Sequence, residues 1–427
     1  MIRVETVPHV TPEGAPHLAQ TGLDRVNRAS ALGRWLHAAN DAGPKCLEKE
    51  GATGKTMLLK MEVAAMPAAW MTRKDLVRRL LQESALPHEF ELALPGLTVR
   101  VATNDRPLHE TLCDYYRHFR PHPSGDATPA GRATIRALEA PEVDLALSYH
   151  PRVRPGGKRI KEEYADLPDG RVVRKRSTGM VFVFGEDEYL TVGPCRANPN
   201  QVINFINNRF LLERLHDEAV LAHAAGVRVR GRGIAMAGFS GAGKSTLALH
   251  YLARGADLVS NDRLVLDRAE GRLRMTGLPK YPRINPGTIL SIPPLRPLLS
   301  EDELRRYGAL DPQELWHVEQ KYDALIEPIF GVGFELESRV DGLIILNWRL
   351  GGGPSRIQHV DLESRDDLLD ALMKRRGLFY LPQPGYVEPE LSPQGYRDVL
   401  RGVPVVEITG GVDFAAAVER SLELLEI

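Results

Sequence analysis

Cysteine, long apolar runs and net charge are all scarce in this chain of 427 residues. The three cysteines, Cys46, Cys113 and Cys195, are widely separated, which excludes a disulfide framework and a cysteine-ligated zinc site. No apolar run approaches the ~18 residues of a membrane-spanning helix, and the N-terminal stretch does not resemble a secretion signal. The net charge of −1 provides no overall field for nucleic acid or a membrane. We therefore expect a cytoplasmic protein that binds neither.

The length predicts two or three domains. The composition, 43% hydrophobic and 26% charged, is ordinary for a globular protein. We predict a mostly helical region over 1–87, with helical apolar spacing at 23–40 and 73–83. An α+β region with a β-meander is predicted over 88–197, and an α/β domain over 198–427.

The first two regions contain one loop and one basic strand of interest. GATGKT at 51–56 lacks the leading glycine of a phosphate-binding loop, so we expect a flexible turn there. Alternating residues at 90–103 predict a hairpin around Pro95-Gly96, and 161–193 predicts the meander. Basic residues at 171–176 indicate either a solvated strand face or a docking surface for an acidic partner.

The last region alternates between strand and helix patterns. The order of these elements predicts a mixed α/β domain. The predicted elements are a helix from Asn198-Pro199, two strands around Arg230-Gly231, a strand at 257–268, a strand from Leu273 that leads into a proline-rich turn, capped helices from Ser300 and Asp311, an apolar central strand at 341–350, a helix from Ser364 to Gly377, a strand at 403–410 and a terminal helix.

A glycine-rich stretch at 238–249 is the strongest motif in the chain. GFSGAGKSTLAL fits G-x-x-x-x-G-K-[ST], and it follows a short apolar strand pattern and opens a helix pattern. Such loops aim backbone N–H groups at phosphate oxygens, with the positive end of the helix behind them. The sequence therefore predicts a nucleotide triphosphate site, formed by Gly238, Phe239, Ser240, Gly241, Ala242, Gly243, Lys244, Ser245 and Thr246.

Two further residues indicate which phosphate chemistry is involved. His223 stands before the first strand of the domain, and Asp262 follows a strand that we expect to return beside the loop strand. Asp262 could accept a proton or hold Mg²⁺, or it could be an ordinary turn residue. His223 could supply a proton-sensitive charge, or it could be a packed or solvent-facing histidine.

His223, the glycine loop and the sequence L-V-x-x-D ending at Asp262 together resemble the HPr kinase/phosphorylase family, at matching intervals across 223–266. More loosely, the region from Asn198 is similar to the divergent HPr-kinase-related kinases of the B type, whose N-terminal half differs. The resemblance implies an α/β fold: a C-terminal P-loop kinase domain like the nucleotide-binding core of phosphoenolpyruvate carboxykinase, preceded by an α+β region. It also implies ATP and Mg²⁺ as cofactors, and homo-oligomers.

The resemblance further implies a role for each matching catalytic residue. His223 would lie near the transferred phosphate, and Lys244 would bind phosphate. Ser245 would bind the metal ion. Asp262 would accept the proton of the attacking hydroxyl, and would return it in the reverse reaction.

The chain departs from the family at three points. Asn261 stands where the family carries the first of two adjacent aspartates, and Thr246 stands where it carries glutamate. A metal-binding glutamate in the family's E-[IV]-R-G segment has no counterpart here, although Arg283 matches its arginine. These departures leave metal coordination beyond Ser245 unassigned.

Two functions follow from these observations. The first is an ATP- and Mg²⁺-dependent kinase that phosphorylates a hydroxyl, of the serine type, on a partner protein or a small metabolite. The second is a nucleotide-responsive binding protein or slow ATPase that regulates a partner, favoured by the loss of acid at Asn261. A transporter-type ATPase fits less well, because no L-S-G-G-Q-like segment is present.

Overall fold

The computed structural model describes residues 71–82, 84–121, 131–152, 160–186, 188–216, 218–239 and 241–427. The predicted helix at 23–40 and the loop at 51–56 lie outside the described residues. The predicted helix at 73–83 is observed as α1 (Arg73–Leu81). It begins where the Thr72 side chain accepts a hydrogen bond from the Asp75 amide, the usual way of satisfying a free helix N–H.

An eight-stranded mixed sheet follows α1, in the order β1-β2-β3-β8-β7-β6-β5-β4. Its strands are β1 (His88–Leu94), β2 (Leu97–Thr103), β3 (Gly131–Glu139), β4 (His150–Pro151), β5 (Glu162–Leu167), β6 (Gly170–Lys175), β7 (Val181–Gly185) and β8 (Tyr189–Gly193). The predicted hairpin is confirmed as β1 and β2, and the predicted meander as β5 to β8. One helix, α2 (Arg106–Tyr115), and a short 3₁₀ helix, Arg117–Phe119, connect β2 to β3.

A buried helix connects this sheet to the rest of the chain. α3 (Pro199–Arg214) places apolar side chains on most of its faces, including Val202, Phe205 and Phe210. The helix predicted from Asn198 is thus confirmed, but the Asn198 side chain makes no cap bond. Its amide donates instead to the carbonyl oxygen of Pro194.

The remaining strands form sheets of six, four and two strands, ordered β12-β10-β11-β18-β20-β19, β17-β14-β13-β9 and β15-β16. In the six-stranded sheet, β18 pairs in parallel with β11 on one side and with β20 on the other. The strands are β9 (Val220–Ala222), β10 (Ala225–Val229), β11 (Arg232–Gly238), β12 (Asp257–Ser260), β13 (Leu264–Ala269), β14 (Arg272–Thr276), β15 (Arg283–Ile284), β16 (Tyr322–Asp323), β17 (Glu337–Arg339), β18 (Gly342–Leu346), β19 (Arg356–His359) and β20 (Val405–Thr409).

Helices cover these sheets and connect their strands. They are α4 (Lys244–Leu252), α5 (Pro286–Ser291), α6 (Glu301–Gly308), α7 (Pro312–Trp316), α8 (Ile326–Phe330), α9 (Pro393–Leu400) and α10 (Phe414–Leu424), with 3₁₀ helices at Pro293–Leu298 and Asp366–Ala371. The predicted caps at Ser300 and Asp311 are confirmed, because each forms a capping box with the glutamate three residues later. Within the described ranges, none of the helices has the length and apolar character needed to cross a bilayer.

The central strands are apolar on both faces because both faces are covered. Ala235 and Ile345 pack toward the four-stranded sheet, in one hydrophobic cluster. Met236 and Ile344, which point the other way, belong to a second cluster that also contains side chains of α4 and α10. This second cluster extends into α3 and the eight-stranded sheet. Burial on both faces accounts for the continuous apolar runs of parallel strands.

Three predictions in this region are wrong. Residues 257–268 form two strands in different sheets, β12 and β13, with a turn at 261–263 between them. β12 does not lie beside the loop strand β11, because β10 separates the two. The helix predicted from Ser364 is also replaced by the 3₁₀ helix Asp366–Ala371, whose N-cap is Arg365.

Candidate functional site

The glycine loop connects β11 to α4, as the sequence predicts. Gly241 and Gly243 have φ angles of +82° and +88°, which side chains rarely tolerate. A Cβ atom at Gly243 would lie 2.8 Å from the ring of Phe414. At Gly238 it would lie 2.9 Å from the Leu346 side chain. The loop conformation and its close packing thus require glycine.

The first turn of α4 faces a large cleft. Lys244, Ser245 and Thr246 all line it, and the first N–H groups of a helix have no partners within the helix. The Lys244 ammonium donates a hydrogen bond to the carbonyl oxygen of Gly238, at 2.7 Å, across its own loop. Burial lowers the pKa of Lys244, although the charge of Asp262 partly opposes this.

Aromatic side chains support the loop from behind. The Trp348 indole N–H donates to the Ala242 carbonyl oxygen, at 2.8 Å. Phe414 packs edge-on against Trp348 and parallel to His250, with ring centroids 5.0 and 5.2 Å apart. Burial lowers the pKa of His250 to about 4, so this support is uncharged near neutral pH. No sequence motif marks this aromatic support, although Trp348 follows β18, the parallel neighbour of the loop strand.

His223 and Asp262 lie together at the same edge of the sheets. His223 Nε2 is 3.4 Å from Asp262 Oδ1, and Arg263 Nε is 3.5 Å from Asp262 Oδ2. Burial raises the pKa of Asp262. That effect is outweighed by the hydrogen bond from His223 and by the charges of Arg263, Lys374 and Lys280, which hold the pKa well below its usual range. Asp262 is therefore a carboxylate at neutral pH.

The cleft that contains these groups has a volume of about 1460 Å³ and is strongly basic. Among the described residues that line it, ten are Lys or Arg and three are Asp or Glu. Such an excess of one sign attracts anionic ligands and concentrates them in the cleft. Lys280 and Lys374 were not identified from the sequence, because they come from loops distant from the glycine motif.

The cleft offers oxygen ligands for a small divalent cation. Ser245, Asn261 and Asp262 line it, and the buried Asn261 Oδ1 has no hydrogen-bond partner among the residues that the structure describes. Hydroxyl, amide and carboxylate oxygens suit Mg²⁺, which takes few protein ligands and completes its shell with water and phosphate oxygens. In the described part of the chain, no three His, Cys, Asp or Glu side chains form a metal cluster. The residues thus fit a nucleotide-borne Mg²⁺.

The predicted site residues converge on this cleft. Those that line it are His223, Gly241, Gly243, Lys244, Ser245, Thr246 and Asp262, together with Arg283. Gly238 and Ala242 belong to the loop but do not line the cleft. Phe239 is 44% exposed. Ser240 lies outside the described residues. Their individual roles remain predictions.

The basic strand at 171–176 is largely neutralised within the chain. Three of its cations form ion pairs: Arg171 with Asp166, Arg174 with Glu163, and Lys175 with Glu162. Arg171 and Arg174 also lie over the rings of Tyr164 and Tyr149. Little free positive charge remains on β6 for an acidic partner.

These features define an α/β protein with a basic cleft and a glycine loop suited to phosphate. No protein-family model matches the chain. Over 123 residues it is 33% identical to the HPr kinase/phosphorylase of Clostridium tetani, a match that covers 27% of this chain and 39% of that protein. The matched part thus spans about two fifths of the relative's length. This weak homology supports a relationship to HPr kinase/phosphorylase and does not single out the B type.

A solved structure was also found, that of the Hpr(Ser) kinase/phosphatase from Coxiella burnetii. The likeness has 12% sequence identity and a TM-score of 0.22, over 48% of this chain and 87% of the other. A score of this size supports no argument about the fold. The mixed α/β architecture therefore stands on the sheets and helices described above.

Proposed function

We propose that this chain is a kinase that uses ATP and Mg²⁺ to phosphorylate a hydroxyl group. The observation that carries the proposal is the joint position of the glycine loop and the His223–Asp262 pair in one basic cleft. The partial homology to HPr kinase/phosphorylase supports the same class. We assign the described residues of the predicted loop, from Gly238 to Thr246, to binding the triphosphate.

Each residue has a distinct task in the proposed reaction. The loop amides and Lys244 hold the phosphates, and Ser245 and Asn261, which both line the cleft, would hold the metal ion. When bound, Mg²⁺ neutralises charge on the phosphate oxygens. His223 and Arg263 hold the two carboxylate oxygens of Asp262 from either side, and each oxygen keeps a lone pair that can accept a proton.

In the proposed transfer, one bond to the γ-phosphorus forms while another breaks. The acceptor oxygen forms a bond to the γ-phosphorus while the bond from that phosphorus to the bridging oxygen of ADP breaks. The hydroxyl proton passes to Asp262, and ADP leaves with the electron pair of the broken bond. The products are ADP, a phosphate ester and a protonated carboxyl group that later releases its proton to water.

The Asp262→Ala substitution tests this assignment. Loss of a general base costs about 10²–10⁴-fold in rate, whereas nucleotide affinity should stay the same or rise, because a negative charge has left a basic cleft. Phosphoryl transfer can be followed with γ-labelled ATP, Mg²⁺ and a soluble extract of the source cell. Asp302→Ala, which removes an exposed carboxylate on α6, is the control. Equal loss of nucleotide binding and transfer would refute the base assignment.

A nucleotide-responsive binding protein or slow ATPase is the second candidate. The lowered pKa of Asp262 favours it, because a weaker base is a poorer proton acceptor. Asn261, which stands where the similar family carries an aspartate, also favours this second candidate. In the labelling experiment this candidate releases free phosphate or leaves ATP intact, whereas a kinase labels an acceptor.

A further inference from the structure

A group of cations surrounds Asp262 on elements other than the glycine loop. Arg263 follows it in the turn before β13, Lys280 precedes β15, and Lys374 follows the 3₁₀ helix Asp366–Ala371. All three act electrostatically on the Asp262 carboxylate. The His223 amide also donates to the Leu372 carbonyl oxygen, at 2.7 Å, which fixes the segment carrying Lys374 beside the His223–Asp262 pair.

These cations exceed what the surrounding carboxylates neutralise. Lys280 donates to the amide oxygen of Asn204, at 2.9 Å. In the described part of the chain, the Lys374 ammonium has no hydrogen-bond partner, and no carboxylate lies within ion-pair distance of either lysine. Burial lowers the pKa of both lysines, with Asp262 opposing it. An unpaired, half-buried ammonium is costly unless an anion compensates it.

The anion that fits here is distinct from the transferred phosphate. Lys244 and the loop amides already face the triphosphate side of the cleft. Arg152, which follows β4, also lies near Lys374, but its Nη1 is 2.7 Å from Glu162 Oε2, so the unpaired charge here is that of the two lysines. The cleft, at about 1460 Å³, exceeds the ~300–1,000 Å³ of a typical ligand pocket. It can therefore hold a nucleotide and a second small molecule.

The far wall of the cleft comes from the eight-stranded sheet and from the segment after Lys374. Arg152, Lys175 and Phe182 line the sheet side, and Phe379 lines the other. The buried Arg209 guanidinium donates to the Phe379 carbonyl oxygen, so this part of the wall is held in place. A cleft walled on both sides suits a small molecule better than a loop of a folded protein.

We propose that the phosphoacceptor is a small hydroxy compound with a carboxylate or phosphate group, which Lys280 and Lys374 bind while its hydroxyl faces Asp262. This inference rests on the kinase function proposed above. Both anionic groups accept charge-assisted hydrogen bonds from ammonium groups. The product would be a phosphate ester that also keeps the carboxylate or phosphate group of the acceptor.

Anion binding to the nucleotide-loaded protein tests the inference. The protein is first saturated with a non-hydrolysable ATP analogue and Mg²⁺, and inorganic phosphate or acetate is then titrated by calorimetry. We expect one anion to bind, and Lys374→Met to weaken it about 10- to 100-fold, as loss of a charged hydrogen bond does. Lys374→Arg should keep most of the affinity. Tighter binding of phosphate than acetate indicates a phosphorylated acceptor, and the reverse indicates a carboxylic one.

Lys161→Met is the matched control, because Lys161 is exposed and lies outside the cleft. Wild-type binding in this variant, with weak binding in Lys374→Met, supports the inference. Equal anion binding in all variants, or none in the wild type, overturns it. Label that appears on a protein rather than in the ultrafiltrate of the extract also overturns it. If the ATP analogue itself does not bind, the proposed kinase function fails instead.

Discussion

Replacing Gly243 by alanine should damage the loop through two separable effects. Its φ angle of +88° costs a residue with a Cβ atom about 1–2 kcal/mol. The new methyl group would also lie 2.8 Å from Phe414, a ring confined by Trp348 and His250. Crowding of this kind costs about 1–3 kcal/mol. We therefore expect the free energy of unfolding to fall by about 2–5 kcal/mol, with a loss of nucleotide affinity.

Gly241→Ala is the matched control, because its φ angle is +82° and, apart from its two chain neighbours, no atom of the described residues lies within 4 Å of the added methyl group. It should lose only the backbone contribution, about 1–2 kcal/mol. Phe414→Leu, alone and combined with Gly243→Ala, isolates the contact through a double-mutant cycle. Urea denaturation and titration with a fluorescent ATP analogue provide the two readouts. If Gly243→Ala lowers the free energy of unfolding and the nucleotide affinity no more than Gly241→Ala does, the close approach of Phe414 does not constrain the loop.

The Trp348 indole and the Asp262 carboxylate each lead to a further prediction about stability. Trp348→Phe removes the donor to the Ala242 carbonyl oxygen and should reduce the free energy of unfolding by about 1–3 kcal/mol, measured by urea denaturation. Trp316→Phe should reduce the free energy of unfolding by less. Equal losses in the two variants would show that the hydrogen bond from the Trp348 indole N–H does not stabilise the loop. Because folding lowers the pKa of Asp262, its carboxylate stabilises the fold fully above the unfolded pKa of about 4 and progressively less below it. The stability advantage of the wild type over Asp262→Asn should therefore shrink as the pH falls from 5 to 3, and a gap that widens would contradict the assignment.

Features set by neighbouring residues were predictable from the sequence. The turn at Arg230-Gly231, with φ angles of +49° and +82°, joins β10 and β11 as its residue types indicate. The capping boxes at Ser300 and Asp311 are likewise local. The glycine loop belongs to the same group, because its strand, turn and helix are continuous in sequence.

Features set by tertiary contacts were not predictable. The uninterrupted strand pattern of 257–268 concealed the turn at Asn261, since periodicity does not show that a strand has changed sheets. Asp262 still reaches the loop edge, but β10 lies between β12 and β11. Lys280 and Lys374 approach Asp262 only through folding, so no spacing rule would have identified them.

The buried helix α3 has an evolutionary consequence. Its Phe205 and Phe210 pack in the same cluster as the eight-stranded sheet, while Asn204 and Asn208 line the cleft. Recombination that replaced everything before Asn198 would place different side chains against this helix, whose Asn204 amide oxygen accepts the hydrogen bond from Lys280. Exchange of the N-terminal part therefore succeeds only with matching changes along α3, and the two parts of the chain are expected to be inherited together.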